Sequence, residues 1–200
     1  QTVDGDVFRY HTPLNGTKPA KYYHGPDCCT ASGPRIVAKI PQLIYSQGED
    51  GIFINQFVQS QADFYIKSKT TNVTISQKTD YSTGEEIVLT IDPEKSARFA
   101  VFVRLPAWCN KPVLNIDGEI RTKLRPGHYE RIERVWQKGS QITLSPPMEP
   151  RWVERLHVEK DNRWALVRGP FVYAVDTVLW EEAKRAALGQ VPSDLANILK

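Results

Sequence analysis

From Gly48 onward, apolar and polar residues follow the two-residue repeat of β-strands, and this pattern constrains the fold more than any other feature. A period of two places alternate side chains on opposite faces of a strand. Strands are predicted over 51–58, 72–77, 86–91, 98–105, 113–116, 129–135 and 141–144. Asp117-Gly118, between two short apolar runs, predicts a hairpin turn. Short strands with turn residues and no helices between them predict a mainly β fold, an antiparallel β-sandwich.

Upstream of the strands, residues 33–46 have the pattern of a helix. Ser32 or Gly33 can cap it, and Pro34 suits its first turn. Pro41 removes one backbone hydrogen bond, which predicts a kink or the start of a second short helix. One helical face carries the apolar residues Ile36, Val37, Ile40, Leu43 and Ile44.

Two adjacent cysteines, Cys28 and Cys29, stand just ahead of this predicted helix. Neighbouring thiols can hardly form a disulfide with each other, because the peptide between them would be distorted. They can hold one soft metal ion, or one can attack a substrate while the other coordinates. A helix N-terminus favours a thiolate, so this position suits either role. The alternative is that both are buried and act as small hydrophobic residues.

Composition and charge exclude two classes of partner. The formal net charge of +3 is small, and no stretch concentrates lysine and arginine, so we expect no nucleic-acid partner. No run approaches about 18 apolar residues, so we expect no membrane-spanning helix. The start, Gln1-Thr2-Val3-Asp4, has neither an initiator methionine nor signal-peptide features, and we expect it to be a cut end.

The two ends of the chain differ from its middle. Residues 1–27 are rich in loop-forming types, and their rings can either line a sugar-sized pocket or anchor the loop: Tyr10, His11, Tyr22, Tyr23 and His24. Three prolines within residues 146–150 predict a domain boundary. Beyond it, strands are predicted over 152–158, 164–167 and 171–175, and a helix over 180–188.

Five stretches, taken together and in this order, resemble the C-terminal part of glycoside hydrolase family 127, the β-L-arabinofuranosidase family. The first is the Cys28-Cys29 pair with the helix that ends at Ile44-Tyr45-Ser46. The others are residues 50–57 (DGIFINQF) with Ser60, 102–109 (FVRLPAWC), 127–139 and 164–173 (WALVRGPFVY).

The resemblance implies an architecture. Members of the family have a catalytic (α/α)6 barrel followed by one or two β-sandwich domains. Residues 1–47 would be the loop and helix that end the barrel, and 48–149 a jelly-roll-like sandwich. Residues 150–200 would begin a second sandwich or add strands and a helix.

The resemblance also implies a chemistry, namely retaining hydrolysis of arabinofuranoside-type glycans with a zinc-bound cysteine as nucleophile. Cys28 matches the nucleophile and Cys29 a zinc ligand, so both thiolates would contact Zn²⁺. The family's remaining zinc ligands, a cysteine and a glutamate, and its glutamate acid/base lie upstream in the barrel. Residues 1–27 contain only the carboxylates Asp4, Asp6 and Asp27, none of which matches. We therefore expect this chain alone to be inactive.

Other residues and readings stay open at this point. Residues 30–35 depart from the continuation seen in relatives, which leaves the sugar and linkage undetermined. Arg35 can face a carboxylate or a substrate hydroxyl, or be solvated, and Cys109 is expected to serve packing. A second hypothesis is a non-catalytic sandwich that binds carbohydrate or supports a barrel; its stacking candidates are Trp108, Trp136, Trp152 and Trp164. A third is a structural zinc site or redox pair on the two cysteines, for which His11, His24 and Asp27 are nearby.

Overall fold

The structure, a computed structural model, describes residues 28–49, 51–81, 84–154 and 164–173. The chain divides into two compact units, residues 1–146 and 147–200. The predicted loop over 1–27 and helix over 180–188 lie outside the described residues. The elements of the first unit are α1 (Cys28–Ile44), β1 (Tyr45–Gly48), β2 (Gly51–Ile54), β3 (Ser60–Ile66), a 3₁₀ turn (Lys67–Lys69), β4 (Thr71–Thr79), β5 (Ile87–Pro93), β6 (Ala97–Arg104), β7 (Val113–Ile116), β8 (Glu119–Arg121), β9 (Tyr129–Trp136) and β10 (Ser140–Ser145).

The strands of the first unit form two sheets. Sheet A has the order β1-β2-β6-β9, and sheet B the order β3-β4-β5-β10-β7-β8. Neighbouring strands are antiparallel except β2 and β6, which run parallel with Phe53 opposite Phe102. The prediction of a mainly β fold with antiparallel sheets is confirmed, and the parallel pair is an addition that the sequence did not predict.

One hydrophobic core lies between the two sheets. Alternate residues point inward, as in β5, where Ile87, Leu89 and Ile91 are all fully buried. Strands of sheet A supply Ile52, Ile54, Val101, Val103, Ile132 and Trp136 to the same core cluster. Complete burial of an aliphatic side chain contributes about 1.5–3 kcal/mol. The period-two repeat is therefore the direct cause of the two-layer arrangement.

The predicted turn at Asp117-Gly118 is present and joins β7 to β8. Both residues have positive φ, 49° and 96°, as a type I′ hairpin requires. The side-chain oxygen of Asn115 accepts a 2.7 Å hydrogen bond from the Gly118 amide, which fixes the turn.

Three strands of the first unit were not predicted, and one strand is shorter than predicted. β1 and β8 are only 4 and 3 residues long. β3 is the edge strand of sheet B and pairs with β4, and polar residues interrupt its hydrophobic repeat. β2 ends at Ile54 and not at Val58, because the backbone of the next residues bonds to the end of α1.

The described part of the second unit is a small antiparallel sheet. It comprises β11 (Pro150–Glu154), β12 (Trp164–Arg168) and β13 (Phe171–Val172), in that order. Its first strand begins four residues after Pro146, where the prolines predicted a boundary. Within the described ranges, no helix has both the length and the apolar character that a membrane crossing needs.

Candidate functional site

The cysteine pair lies inside α1 and not ahead of it. The helix begins at Cys28, five residues before the predicted start, so the two cysteines are its first and second residues. The Cys28 side chain is exposed, which contradicts the interpretation of that residue as a buried hydrophobe. A thiol at this position is accessible to a substrate or an ion.

Two prolines lie within the helix that carries the cysteines. Pro34 and Pro41 both fall inside α1, which continues to Ile44 as one element and not as two short helices. Of the two alternatives predicted for Pro41, a kink or the start of a second short helix, the second is therefore wrong. An interior proline removes a backbone hydrogen bond and costs a helix about 3 kcal/mol. Contacts outside the helix must therefore contribute to its stability.

The apolar face of α1 is exposed along most of its length. Its exposed fractions are 64% for Ile36, 49% for Val37, 41% for Ile40 and 55% for Leu43, whereas Ile44 is buried. The sequence predicted the helical repeat, but only the last residue of that face enters the body of the first unit. A helix normally covers such a face with another element.

The C-terminal end of α1 is attached to sheet A by backbone hydrogen bonds. The carbonyl oxygen of Ile44 accepts from the amide of Asn55 at 2.8 Å and from the amide of Gln56 at 3.2 Å. The last four carbonyls of a helix have no partner within the helix, so this pair of donors caps the end. β1 then pairs with β2 in register, with Tyr45 opposite Ile54.

Asn55 bonds to three further residues around this attachment. Its side-chain oxygen accepts a 2.7 Å hydrogen bond from the Tyr129 hydroxyl, and its side-chain amide donates to Ser46 Oγ at 3.2 Å. Its carbonyl oxygen accepts a hydrogen bond from Arg104 Nε. The four hydrogen-bonding groups of Asn55 thus join the end of α1 to β1, β6 and β9.

Aromatic rings reinforce the same end of sheet A. Phe53 and Phe102 stack with ring centroids 4.2 Å apart, and Tyr129 meets Phe53 edge to face at 5.5 Å. The Arg104 guanidinium lies 5.6 Å from the centre of the Phe57 ring. These contacts hold the partners of Asn55 in place.

A buried polar cluster lies beside the segment that follows Asn55. Gln77 points inward from β4, is only 3% exposed, and donates to the Gln56 carbonyl oxygen at 3.1 Å. Ser60 Oγ is 3.0 Å from the Tyr45 hydroxyl and donates to the Val58 carbonyl at 2.7 Å. The side-chain oxygen of Gln77 has no hydrogen-bond partner among the residues that the structure describes. The cluster ties sheet B to the same attachment segment.

The described residues do not make a complete zinc site. Thiolates are suitable zinc ligands, but a structural site takes four ligands and a catalytic one three plus water. Across 28–49, 51–81, 84–154 and 164–173, no three histidines, cysteines or acids come together in a way that could hold an ion. A zinc ion at the cysteine pair would therefore need ligands from outside the described residues.

The other candidate residues have the following positions. Arg35 is exposed, and Cys109 is 1% exposed, as expected for a packing role; burial raises the pKa of its thiol, partly offset by a backbone hydrogen bond from Lys111. Trp136 is fully buried and donates from Nε1 to the Phe99 carbonyl at 2.9 Å, so it is a core residue and not a sugar platform. Of the other tryptophans, Trp108 is half-buried and Trp152 is 43% exposed. The side chain of Trp164 lies outside the described residues, as do the aromatic residues of the N-terminal stretch, Tyr10, His11, Tyr22, Tyr23 and His24.

Sequence reasoning did not single out Asn55, Arg104 or Tyr129. All three lie in stretches that carried the family resemblance, at 50–57, 102–109 and 127–139. Each of the three is a polar residue at or beside the end of a strand in such a stretch. That shared position is the signal that could have identified them.

Comparison with known proteins gives one family match. Residues 51–148 match the family model described as β-L-arabinofuranosidase, GH127 middle domain. These residues include β2 to β10, that is, nearly all of the two sheets.

Individual relatives agree with that match. The chain is 23% identical over 167 residues to the non-reducing end β-L-arabinofuranosidase of Bifidobacterium longum subsp. longum, which covers 78% of the chain and 24% of the relative. A solved GH127 β-L-arabinofuranosidase from Geobacillus stearothermophilus T6 superposes with a TM-score of 0.67 at 32% identity, over 72% of the chain and 23% of that structure. A solved GH127 β-arabinofuranosidase gives 0.74 at 25% identity, over 84% and 30%. The chain therefore spans about a quarter of the length of these relatives.

Proposed function

This chain is a GH127-like protein, and we propose that it forms part of a retaining glycoside hydrolase that cleaves L-arabinofuranosides. The observation that carries the proposal is the junction at Ile44 and Asn55. There, a helix that begins with two cysteines is joined directly to the domain that matches the GH127 middle-domain model. The substrate class comes from the relatives, which are β-L-arabinofuranosidases.

In this proposal, Cys28 is the nucleophile. Its thiolate attacks the anomeric carbon, a carbon–sulfur bond forms, and the bond to the leaving-group oxygen breaks. Water then attacks the same carbon from the opposite side and the thiolate leaves, so two displacements retain the configuration. Cys28 is exposed and is the first residue of α1. This exposure supports the role of nucleophile, because the sulfur must reach a sugar.

We further propose that zinc contacts the thiolates of Cys28 and Cys29 when the remaining ligands are supplied by residues outside this chain. Zinc held by these two residues would supply a positive charge that keeps the coordinating thiols deprotonated, and Cys28 would remain nucleophilic. The acid/base group is also placed outside this chain. The 200-residue chain alone is accordingly expected to be inactive.

The domain arrangement proposed from the family is an (α/α)6 barrel that ends within residues 1–47. Exposed aliphatic side chains on α1, from Ile36 to Leu43, support it, since such a face needs a neighbouring helix. Residues 48–149 would be the sandwich behind the barrel, and 150–200 the start of a second one. β1 already belongs to sheet A, so the helical part ends at Ile44.

A chimera tests the proposed function. The segment of the Geobacillus enzyme that aligns with this chain is replaced by this chain, and hydrolysis of 4-nitrophenyl β-L-arabinofuranoside is measured. We expect activity that falls by about a thousandfold or more on Cys28→Ala, because the nucleophile is lost. The matched control, Cys109→Ala, removes a buried thiol and is expected to leave kcat within about threefold. A chimera whose activity survives Cys28→Ala would refute the proposal.

A second candidate function is a non-catalytic scaffold that supports a barrel or binds carbohydrate. The absence of a three-ligand metal cluster from the described residues favours it over a self-contained enzyme. Full burial of Trp136 removes one of its sugar-stacking candidates. Binding of arabinofuranose oligosaccharides by the chain with Cys28→Ala in place would support this function.

A further inference from the structure

We propose that Asn55 is a positioning residue that sets the direction in which α1 presents Cys28. The inference rests on the proposed function only for the chemical role of Cys28; the geometry is independent of it. Asn55 lies in the loop directly after β2, and its backbone amide caps the last carbonyl of α1, that of Ile44.

The four hydrogen bonds of Asn55 converge from different elements. Its amide faces the helix end, its carbonyl faces Arg104 on β6, and its side chain bridges Ser46 on β1 and Tyr129 on β9. Only the Asn55 amide reaches the helix, where it shares the Ile44 carbonyl with the Gln56 amide. The other three bonds hold Asn55 against β1, β6 and β9, so the residue that caps the last helical turn is itself fixed in position. Each bond contributes about 1 kcal/mol.

The length of α1 makes this tilt important for Cys28. With 17 residues and a rise of 1.5 Å per residue, Cys28 lies about 24 Å along the axis from Ile44. A tilt of about 5° at the anchored end therefore moves the other end by about 2 Å. Displacements of about 1 Å at a reacting atom can reduce turnover by about a hundredfold.

Few other contacts of α1 within the first unit can replace the anchor. The aliphatic side chains from Ile36 to Leu43 are exposed, and only Ile44 enters the core. The two internal prolines also weaken the helix itself. The junction at Asn55 is therefore the described structure that determines the helix direction.

Pulsed electron–electron double resonance, which measures the distance between two spin labels, tests the inference on the whole chain. One spin label is placed on Cys28 and a second on Lys78→Cys, an exposed residue of β4, with Cys29→Ser to prevent double labelling and Cys109 left buried. The experiment reports the distribution of distances between helix start and sheet B. It needs no activity, so its failure is distinct from a failure of the proposed function.

We expect a single narrow distribution in the parent and one about twice as wide or wider in Asn55→Ala, because the side-chain bonds are lost. Tyr129→Phe removes only one of those bonds, changes an exposed residue, and is expected to give an intermediate width. The control is Asn72→Ala on β4, which removes an exposed hydrogen bond to Glu94 in the turn after β5 and should leave the width unchanged.

Two outcomes would overturn the inference. A parent distribution as broad as that of Asn55→Ala would show that the anchor does not fix the helix. A narrow distribution in Asn55→Ala, as narrow as in Asn72→Ala and the parent, would show that the side chain of Asn55 does not set the helix direction. Thermal unfolding of each variant separates a change in helix direction from a general loss of stability.

Discussion

The amide of Asn55 donates a 2.8 Å hydrogen bond to the carbonyl oxygen of Ile44, so the last residue of the cysteine-bearing helix is bonded to the residue that follows β2. This bond links the two parts of the chain that carry the proposed function. One part presents Cys28, and the other is the sheet body that matches the GH127 middle domain.

Gly51→Ala is expected to destabilise the first unit by about 3 kcal/mol or more. Gly51 has φ of +150°, and an added Cβ would overlap the backbone carbonyl of Ala100 on the parallel neighbour β6. Urea unfolding gives the free energy of unfolding. Gly139→Ala is the control, because its φ is also positive, +81°, but its surroundings are open; about 1–2 kcal/mol is expected there. Equal losses in both variants would contradict the close approach of β2 and β6.

Trp136→Phe is expected to lower the free energy of unfolding by about 2–3 kcal/mol. The substitution leaves a cavity and deprives the Phe99 carbonyl of its 2.9 Å hydrogen bond in the core. Val135→Ala, at a 45% exposed neighbour, is expected to change stability by no more than about 0.5 kcal/mol. If Trp136→Phe left the free energy of unfolding unchanged, this tryptophan would not be a core residue.

Stability is expected to fall at alkaline pH. Burial raises the pKa of the Cys109 thiol, and it also raises that of Tyr81, where the charge of Arg104 lowers it in part. The folded chain therefore keeps protons that the unfolded chain loses, above about pH 8.5 at Cys109 and above about pH 10 at Tyr81, so unfolding becomes easier as pH rises. Below that pH this contribution is fully present.

The check is the free energy of unfolding measured in steps from about pH 7 to about pH 11, so that the range includes the ordinary pKa of both groups. Cys109→Ala should show a shallower alkaline decline than the parent, while the decline due to Tyr81 remains. Parallel curves for the two proteins would show that the thiol titrates alike in the folded and unfolded states.

The isolated chain is expected not to retain zinc. After incubation with zinc and dialysis, we expect less than about one ion in ten chains, since two cysteines supply at most two of the required ligands. Native mass spectrometry measures the ratio, with a Cys28→Ser, Cys29→Ser double variant as control. Stoichiometric zinc that is lost in the double variant would instead favour a structural zinc site formed by this chain.

The sequence predicted strands well where burial is regular and poorly where it is not. Strands such as β5 and β7 alternate because every second residue enters the core. The burial of edge strand β3 alternates, but its sequence repeat is weak, because the inward positions Ser60 and Ala62 carry little apolar surface and the exposed Tyr65 is aromatic. The parallel pairing of β2 with β6 joins segments nearly fifty residues apart, and no local pattern encodes it.

The residues of the candidate site could be predicted from the sequence, but the hydrogen bonds that anchor their helix could not. Adjacent cysteines and a following helix were visible in the sequence, although the helix begins five residues earlier than its prolines suggested. The local sequence could mark Asn55 as a polar residue beside a strand end but not identify its partners, because Arg104 and Tyr129 lie 49 and 74 residues further along the chain. The roles of Cys28 and Cys29 stay predictions.

The most direct test of the central claim is to identify the residue that carries the sugar during turnover. The active chimera is mixed with 4-nitrophenyl β-L-arabinofuranoside, quenched in acid and digested, and its peptides are sequenced by mass spectrometry. Our account predicts one added pentosyl group on the sulfur of Cys28, absent from the Cys28→Ala variant. A pentosyl group on Cys29 or on any carboxylate, with Cys28 unmodified, would contradict it.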